Sequence, residues 1–130
     1  MSFESAVRTM LTTGSTITLV PDARITLGYR LQDSALPAIT YDCQATELTT
    51  IGATPERSAV VDVRAIAVQS LDAIAISQEI RAACVAGTYS TIVFTAVVEI
   101  GRQLNDAVVS DGDEAQPAEH TNSYLIYYTE

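Results

Sequence analysis

From Ala38 to Thr46 the chain alternates without a break. Ile39, Tyr41, Cys43 and Ala45 are apolar or nearly so, and Thr40, Asp42, Gln44 and Thr46 between them are polar. A strand turns successive side chains to opposite faces, so this run makes one dry face and one wet face. A sheet that keeps one face in water or against a partner is typically antiparallel, because parallel sheets are covered on both sides. The alternation therefore predicts an antiparallel sheet with one open face.

Two further runs extend the pattern. Ala59, Val61, Val63, Ala65 and Ala67 share one side; Asp62 and Arg64 stand with Val60 and Ile66 on the other, where the two charges are expected to pair weakly across water. Tyr89 to Ile100 is rich in β-branched residues, with Ile92, Phe94, Ala96, Val98 and Ile100 expected on one face, and Gly101 marks a turn or bulge. Gln103 to Val109 reads as a separate strand. The terminal run places Tyr124, Ile126 and Tyr128 on one face and Leu125 and Tyr127 on the other. Apolar groups on both faces predict a helix over one and something else over the other.

Two segments carry the 3.6-residue period instead. Phe3, Val7, Met10 and Leu11 fall on one face of a short helix with Ser2 as its cap and Gly14 as its end. A longer helix starts at Ser70 or Asp72 and reaches about Val85. Its buried stripe is Ala73, Ile76, Ile80, Ala83 and Cys84; Gln78, Glu79 and Arg81 face out, and Gly87 is the expected stop. Ser15 to Val20 is a helical turn or an extended piece, and Pro21-Asp22 is a turn. Ile25 to Tyr29 is a short apolar piece, followed by a polar loop at Gln32-Asp33-Ser34. Thr49 to Arg57, with Gly52 and Pro55, reads as a loop, and Asp111 to Glu119 as a mobile acidic loop. The expected fold is α+β: a mostly antiparallel sheet, a short N-terminal helix and one long helix on one face. The 130 residues suit one domain, 1–130.

Charge narrows the functions. Seven Lys and Arg oppose sixteen Asp and Glu, a net charge of −9, and the basic residues are scattered singly from Arg8 to Arg102. Gripping nucleic acid by counterion release needs several phosphate contacts from one patch, so DNA binding is not expected. The acidity also keeps a protein soluble, with no further role. Cys43 and Cys84 form no CxxC and read as two buried free thiols in a reducing compartment. The N-terminus does not read as a secretory leader, and no apolar run has the length of a membrane span.

Reactive groups are few. His120 is the single histidine, so any Ser–His or Cys–His hydrolase would have to use it; a lone surface histidine at a strand start is the plainer expectation. Asp111-Gly112-Asp113-Glu114 has its glycine second and lacks the distal glutamate of a calcium loop, which favours a solvated loop. Glycine-rich phosphate motifs are absent. Tyr124, Tyr127 and Tyr128 could stack bases, but their alternation fits core and interface packing better. No catalytic, cofactor or metal residues are assigned.

Four segments in order, Ser2-Phe3-Glu4-Ser5-Ala6-Val7, Leu36-Pro37-Ala38-Ile39-Thr40-Tyr41, the VDVRAIA strand leading into a helix, and Tyr124-Leu125-Ile126-Tyr127-Tyr128, together resemble the phage tail-completion proteins. These include the tail terminators and head–tail joining proteins of long-tailed phages and gene transfer agents. The resemblance implies an α+β fold, a homo-hexameric ring and no catalysis. It implies a place in the virion neck after assembly in the host cytoplasm. The tail tube protein and the head connector would be the partners, with DNA passing through unbound. The acidic stretch from Gln103 to Glu119 departs from the family pattern. Asp111, Asp113 and Glu114 are candidates for a channel or interface loop, and Tyr127 for an interface. The alternative reading is an intracellular adaptor that holds a protein edge with its terminal strand.

Overall fold

The computed structural model describes residues 3–12, 17–28, 36–51, 54–105 and 117–129. The expected acidic site, Asp111, Asp113 and Glu114, lies outside them, as do the Ser2 cap, Gly14 and the Gln32–Ser34 loop. Helix α1 (Phe3–Thr12) buries Phe3, Ala6, Val7, Met10 and Leu11, the expected stripe widened by one alanine. A 3-10 turn (Asp22–Arg24) leads into strand β1 (Ile25–Leu27). The Arg8 guanidinium donates to the carbonyl oxygen of Ile25 and, at 3.3 Å, to that of Asp22, which ties α1 to this turn. Gly28, at φ 89°, ends β1 in a conformation that favours glycine and donates its N–H to the Tyr41 carbonyl at 2.8 Å.

Strands β2 (Ala38–Ile51) and β3 (Thr54–Ala67) form one long antiparallel hairpin. Thr49 to Arg57 is therefore not an open loop: Thr50 pairs with Pro55 and Ile51 with Thr54, and the chain reverses between Ile51 and Thr54. Pro55 is tolerated because this part of β3 extends past strand β6 (Ala118–Thr129), whose pairing with β3 reaches only Arg57.

Helix α2 (Ser70–Ala83) follows β3 and packs against β3 and β6. Its stripe of Ala73, Ile76, Ile80 and Ala83 is buried as expected, with Ser77 added; Cys84 follows just past its end and is buried too. Gly87 is not the helix stop. The helix ends at Ala83 and Gly87 opens strand β4 (Gly87–Tyr89), which turns tightly into β5 (Ile92–Asn105).

The six described strands run in the order β1-β2-β3-β6-β5-β4, and among them only β1 with β2 is parallel. The terminal strand β6 thus lies inside the sheet, between β3 and β5. α1 and α2 share one side of the sheet. Between them and the strands lies a single core that includes Phe94, Ile39, Val61, Val63, Ile76, Ile80, Ile126 and the stacked rings of Phe3 and Tyr128, 4.4 Å apart.

β5 breaks the expected alternation. Its pairing with β6 slips at Thr95 and again at Ile100, and each bulge reverses the phase of the residues beyond it. Phe94 stays in the core, but Val97 and Glu99 take the helix side and Val98 turns away; Ile100, at the second bulge, is 53% exposed. Gly101 comes just after the second bulge, where a bulge or turn was expected. Gln103 begins no new strand; β5 continues through it to Asn105.

Candidate functional site

Two places gather chemistry outside the apolar core. The first is the sheet face away from the helices. Cross-strand register aligns Val60 of β3, Leu125 of β6 and Val98 of β5 in one row, with Ser58, Tyr127 and Ala96 in the next. Val60, Leu125 and Tyr127 are half-buried by their neighbours; Val98 is 47% exposed and Ile100 53%. No described helix covers this face. Tyr127, expected at an interface, stands in this apolar patch.

Toward β2 the same face turns polar. Arg64 does not pair with Asp62. Its Nη1 lies 2.6 Å from Asp42 Oδ2 on the adjacent strand, while Asp62 accepts a hydrogen bond from Ser123 at 2.6 Å. Antiparallel pairing places Asp42 directly beside Asp62, so Arg64 and Ser123 offset two like charges held at close range. An apolar patch bordered by satisfied polar pairs has the composition of a protein contact surface rather than of a reaction centre.

The second place is the flank of α2 above β5 and β6. Asn122, fully buried, faces Ser77 with its Nδ2 2.9 Å from Ser77 Oγ. One turn on, Glu99 Oε1 lies 3.4 Å from Nε of both Arg81 and Arg102. Glu99 stands directly opposite Tyr124, and His120 opposite Leu104. His120 is therefore not a plain surface residue at a strand start: it is half-buried on the helix side of β6. Burial, with Arg102 next in effect, holds its pKa below the usual histidine range. Burial pushes the Cys84 thiol up to about 12 and the Tyr124 hydroxyl far above the usual tyrosine range. A thiol held protonated is a poor nucleophile. This cluster neutralises and packs charge at the helix flank, and Glu99 shared between two guanidiniums suits that role.

Cys43, on the opposite side of the sheet from Asp42, is half-buried and free, and burial raises its pKa to about 12. Among the described residues no group of His, Cys, Asp and Glu is arranged to hold a metal ion. No described helix is long and apolar enough to cross a membrane.

Sequence reasoning missed Val98 as a member of the open face because strict alternation put it on the same face as Phe94. The signal was present in the adjacent pair Val97-Val98 and in Gly101, which together mark a strand that cannot keep one phase. No family model matches the chain, and no curated protein matches it.

Proposed function

We propose that this chain is a structural virion protein, a subunit of the homo-hexameric ring that terminates a long phage tail and joins it to the head connector. The observation that supports this most is the open sheet face: the patch of Val60, Val98, Leu125 and Tyr127, with the exposed Ile100 at the bulge beside it, is apolar, continuous across three strands, and uncovered by any described helix. Such a patch is costly to leave in water and is a common mark of a contact surface. Identical subunits in a ring meet through a heterologous interface that closes on itself, and a patch to one side of the molecule suits that geometry.

The net charge of −9 accords with a channel through which DNA passes without sticking. Asp111, Asp113 and Glu114 would serve there only if close to the bore, since 0.1 M salt screens charge over about 10 Å. Replacing the three by Lys distinguishes their roles. Slowed DNA ejection from intact rings places them at the lumen; lost rings with normal monomers place them between subunits.

The adaptor reading loses its simplest form. A terminal strand that captures a peptide edge needs a free edge, and both edges of β6 are taken, by β3 and by β5. An adaptor would have to use the open face instead. Native mass measurement tests the proposal: six copies per ring, in solution or in isolated tails. A monomer that never enters a tail rules it out.

A further inference from the structure

The outer strands of the sheet are capped only in part. β1 covers β2 from Ile39 to Tyr41, and β4 covers β5 from Ile92 to Phe94. Beyond these, no described residue pairs with the outer edge of β2 from Asp42 to Ile51, or with that of β5 from Ala96 to Asn105. Unpaired strand edges expose a row of N–H and C=O groups and are templates for another strand. We propose that the two edges take each other in successive copies: β5 of one subunit pairs antiparallel with β2 of the next. This rests on the ring reading and specifies how the ring would close.

Four features favour a second copy as the occupant. The first is direction. β2, β3, β6 and β5 alternate, so β5 already runs opposite to β2, and a neighbour in the same orientation meets it antiparallel. The second is length, since the two free stretches nearly match. The caps also sit at opposite ends. β1 covers the start of β2, level with the far end of β5, and β4 covers the start of β5, near the hairpin end of β2. Two copies can dovetail with neither cap in the way.

The third is the register that the caps set. Asp42, the first free residue of β2, meets Asn105, the last of β5. Gln44 then falls opposite Gln103, and Cys43 opposite Leu104. Asp42 and Gln44 lie on the open face, as do Asn105 and Gln103; Cys43 and Leu104 both lie on the helix side. The pairing keeps both faces in phase, and a one-residue slip would not. It would also cover Leu104, which is 36% exposed at the free edge.

The fourth is closure. Within one subunit Asp42 is level with Asp62, Ser123 and Gly101, so meeting Asn105 shifts each neighbour by the four residues from Gly101 to Asn105. At about 3.3 Å per residue that is about 13 Å, over four strands spanning about 19 Å. The ratio corresponds to a strand tilt of about 35°, the value at which sheets close into barrels. The stagger is therefore one that a closed ring can take, and native mass decides between a ring and an open fibre.

Cys43 makes the test direct. In one chain β3 and β6 separate Cys43 from Leu104 by about 14 Å, too far for a disulfide, so a bond between these positions joins two subunits. The protein carries Leu104→Cys, or Arg102→Cys for a register shifted by two on the same face, with Cys84→Ala in both. Oxidation is expected to give a ladder of covalent multimers up to six, abolished by Cys43→Ser. Slowed amide exchange at Asp42–Gln44 and Gln103–Asn105 on assembly of the unmodified protein is the second readout, independent of the variants' folding. Six-membered rings with neither ladder nor protection overturn the edge pairing and leave the ring reading standing. The same protection in monomers assigns the edge of β2 to this chain's own residues 29–35 and overturns it too. A ladder from open chains, with no ring by native mass, keeps the edge pairing and removes the ring.

Discussion

The Asn122 amide faces the Ser77 hydroxyl between β6 and α2, its Oδ1 and Nδ2 lying 3.1 and 2.9 Å from Ser77 Oγ, and its Nδ2 also reaches the Ser77 carbonyl oxygen at 3.3 Å. Asn122 is fully buried and Ser77 is 3% exposed. Two polar side chains in an apolar layer fix the rotation of α2 over the sheet, because turning the helix would leave both unpaired.

Removing one partner is therefore expected to cost more than removing both. Asn122→Leu leaves Ser77 unsatisfied, at about 1–3 kcal/mol for the polar loss. The double variant Ser77→Ala, Asn122→Leu should recover part of that cost, since apolar groups of similar volume need no partner. Denaturant unfolding of the two singles and the double decides it: additive losses would mean that the pair is not coupled.

Ile80 carries the apolar side of the same contact. It is fully buried in the core under α2. Ile80→Ala should cost about 2–5 kcal/mol, a large share of the stability of a domain this size. An unchanged unfolding midpoint would show that α2 does not pack as described.

Periodicity made α1, α2 and the faces of β3 and β6 legible, because each has one unbroken phase from end to end. The elements that were not legible fail for local reasons. Pro55 looks like a loop residue, yet a two-strand hairpin beyond its neighbours tolerates it. β5 changes phase twice, and no alternation rule tracks a strand through two bulges. The polar cluster of Glu99, Arg81, Arg102 and His120 depends on the stretch between the two bulges having reversed, which brings Glu99 to the helix side, so it was hidden for the same reason.

Glu79 was expected to face water, and it does more than that. Its carboxylate accepts from the Thr18 and Leu19 N–H groups at 3.0 and 2.9 Å and from the Thr18 hydroxyl at 2.7 Å, pinning the segment after α1 to α2. Partial burial acts to raise its pKa, but these donors outweigh it and hold the carboxyl below its usual value. A depressed carboxyl contributes stability that is full above the unfolded value of about 4.3 and is lost as pH falls through the lower folded value. Glu79→Gln should cost about 1 kcal/mol at neutral pH. The gap between variant and wild-type melting temperatures should close in acid below that window. A gap that stays constant from pH 6 to pH 2.5 would show that the charge contributes nothing.

Val98 and Ile100 separate assembly from folding. Val98 points to the uncovered face of β5 and Ile100 sits at the bulge beside it, 47% and 53% exposed, and neither belongs to the core. A charge placed there meets water in the isolated subunit, so Val98→Lys and Ile100→Lys should shift monomer stability by no more than about 0.5 kcal/mol. In a contact the same lysine would be buried without a partner, and such a charge costs several kcal/mol. Each variant should therefore fold as the wild type by circular dichroism and denaturant midpoint, yet remain monomeric by native mass at concentrations where the wild type is assembled. Leu71, on α2 and already 76% exposed, provides the control. Leu71→Lys should leave assembly much less affected than Val98→Lys or Ile100→Lys does. Rings that form equally well with Lys at 98 and at 100 would show that this end of the sheet faces solvent in the assembly, and the contact would have to lie elsewhere on the subunit.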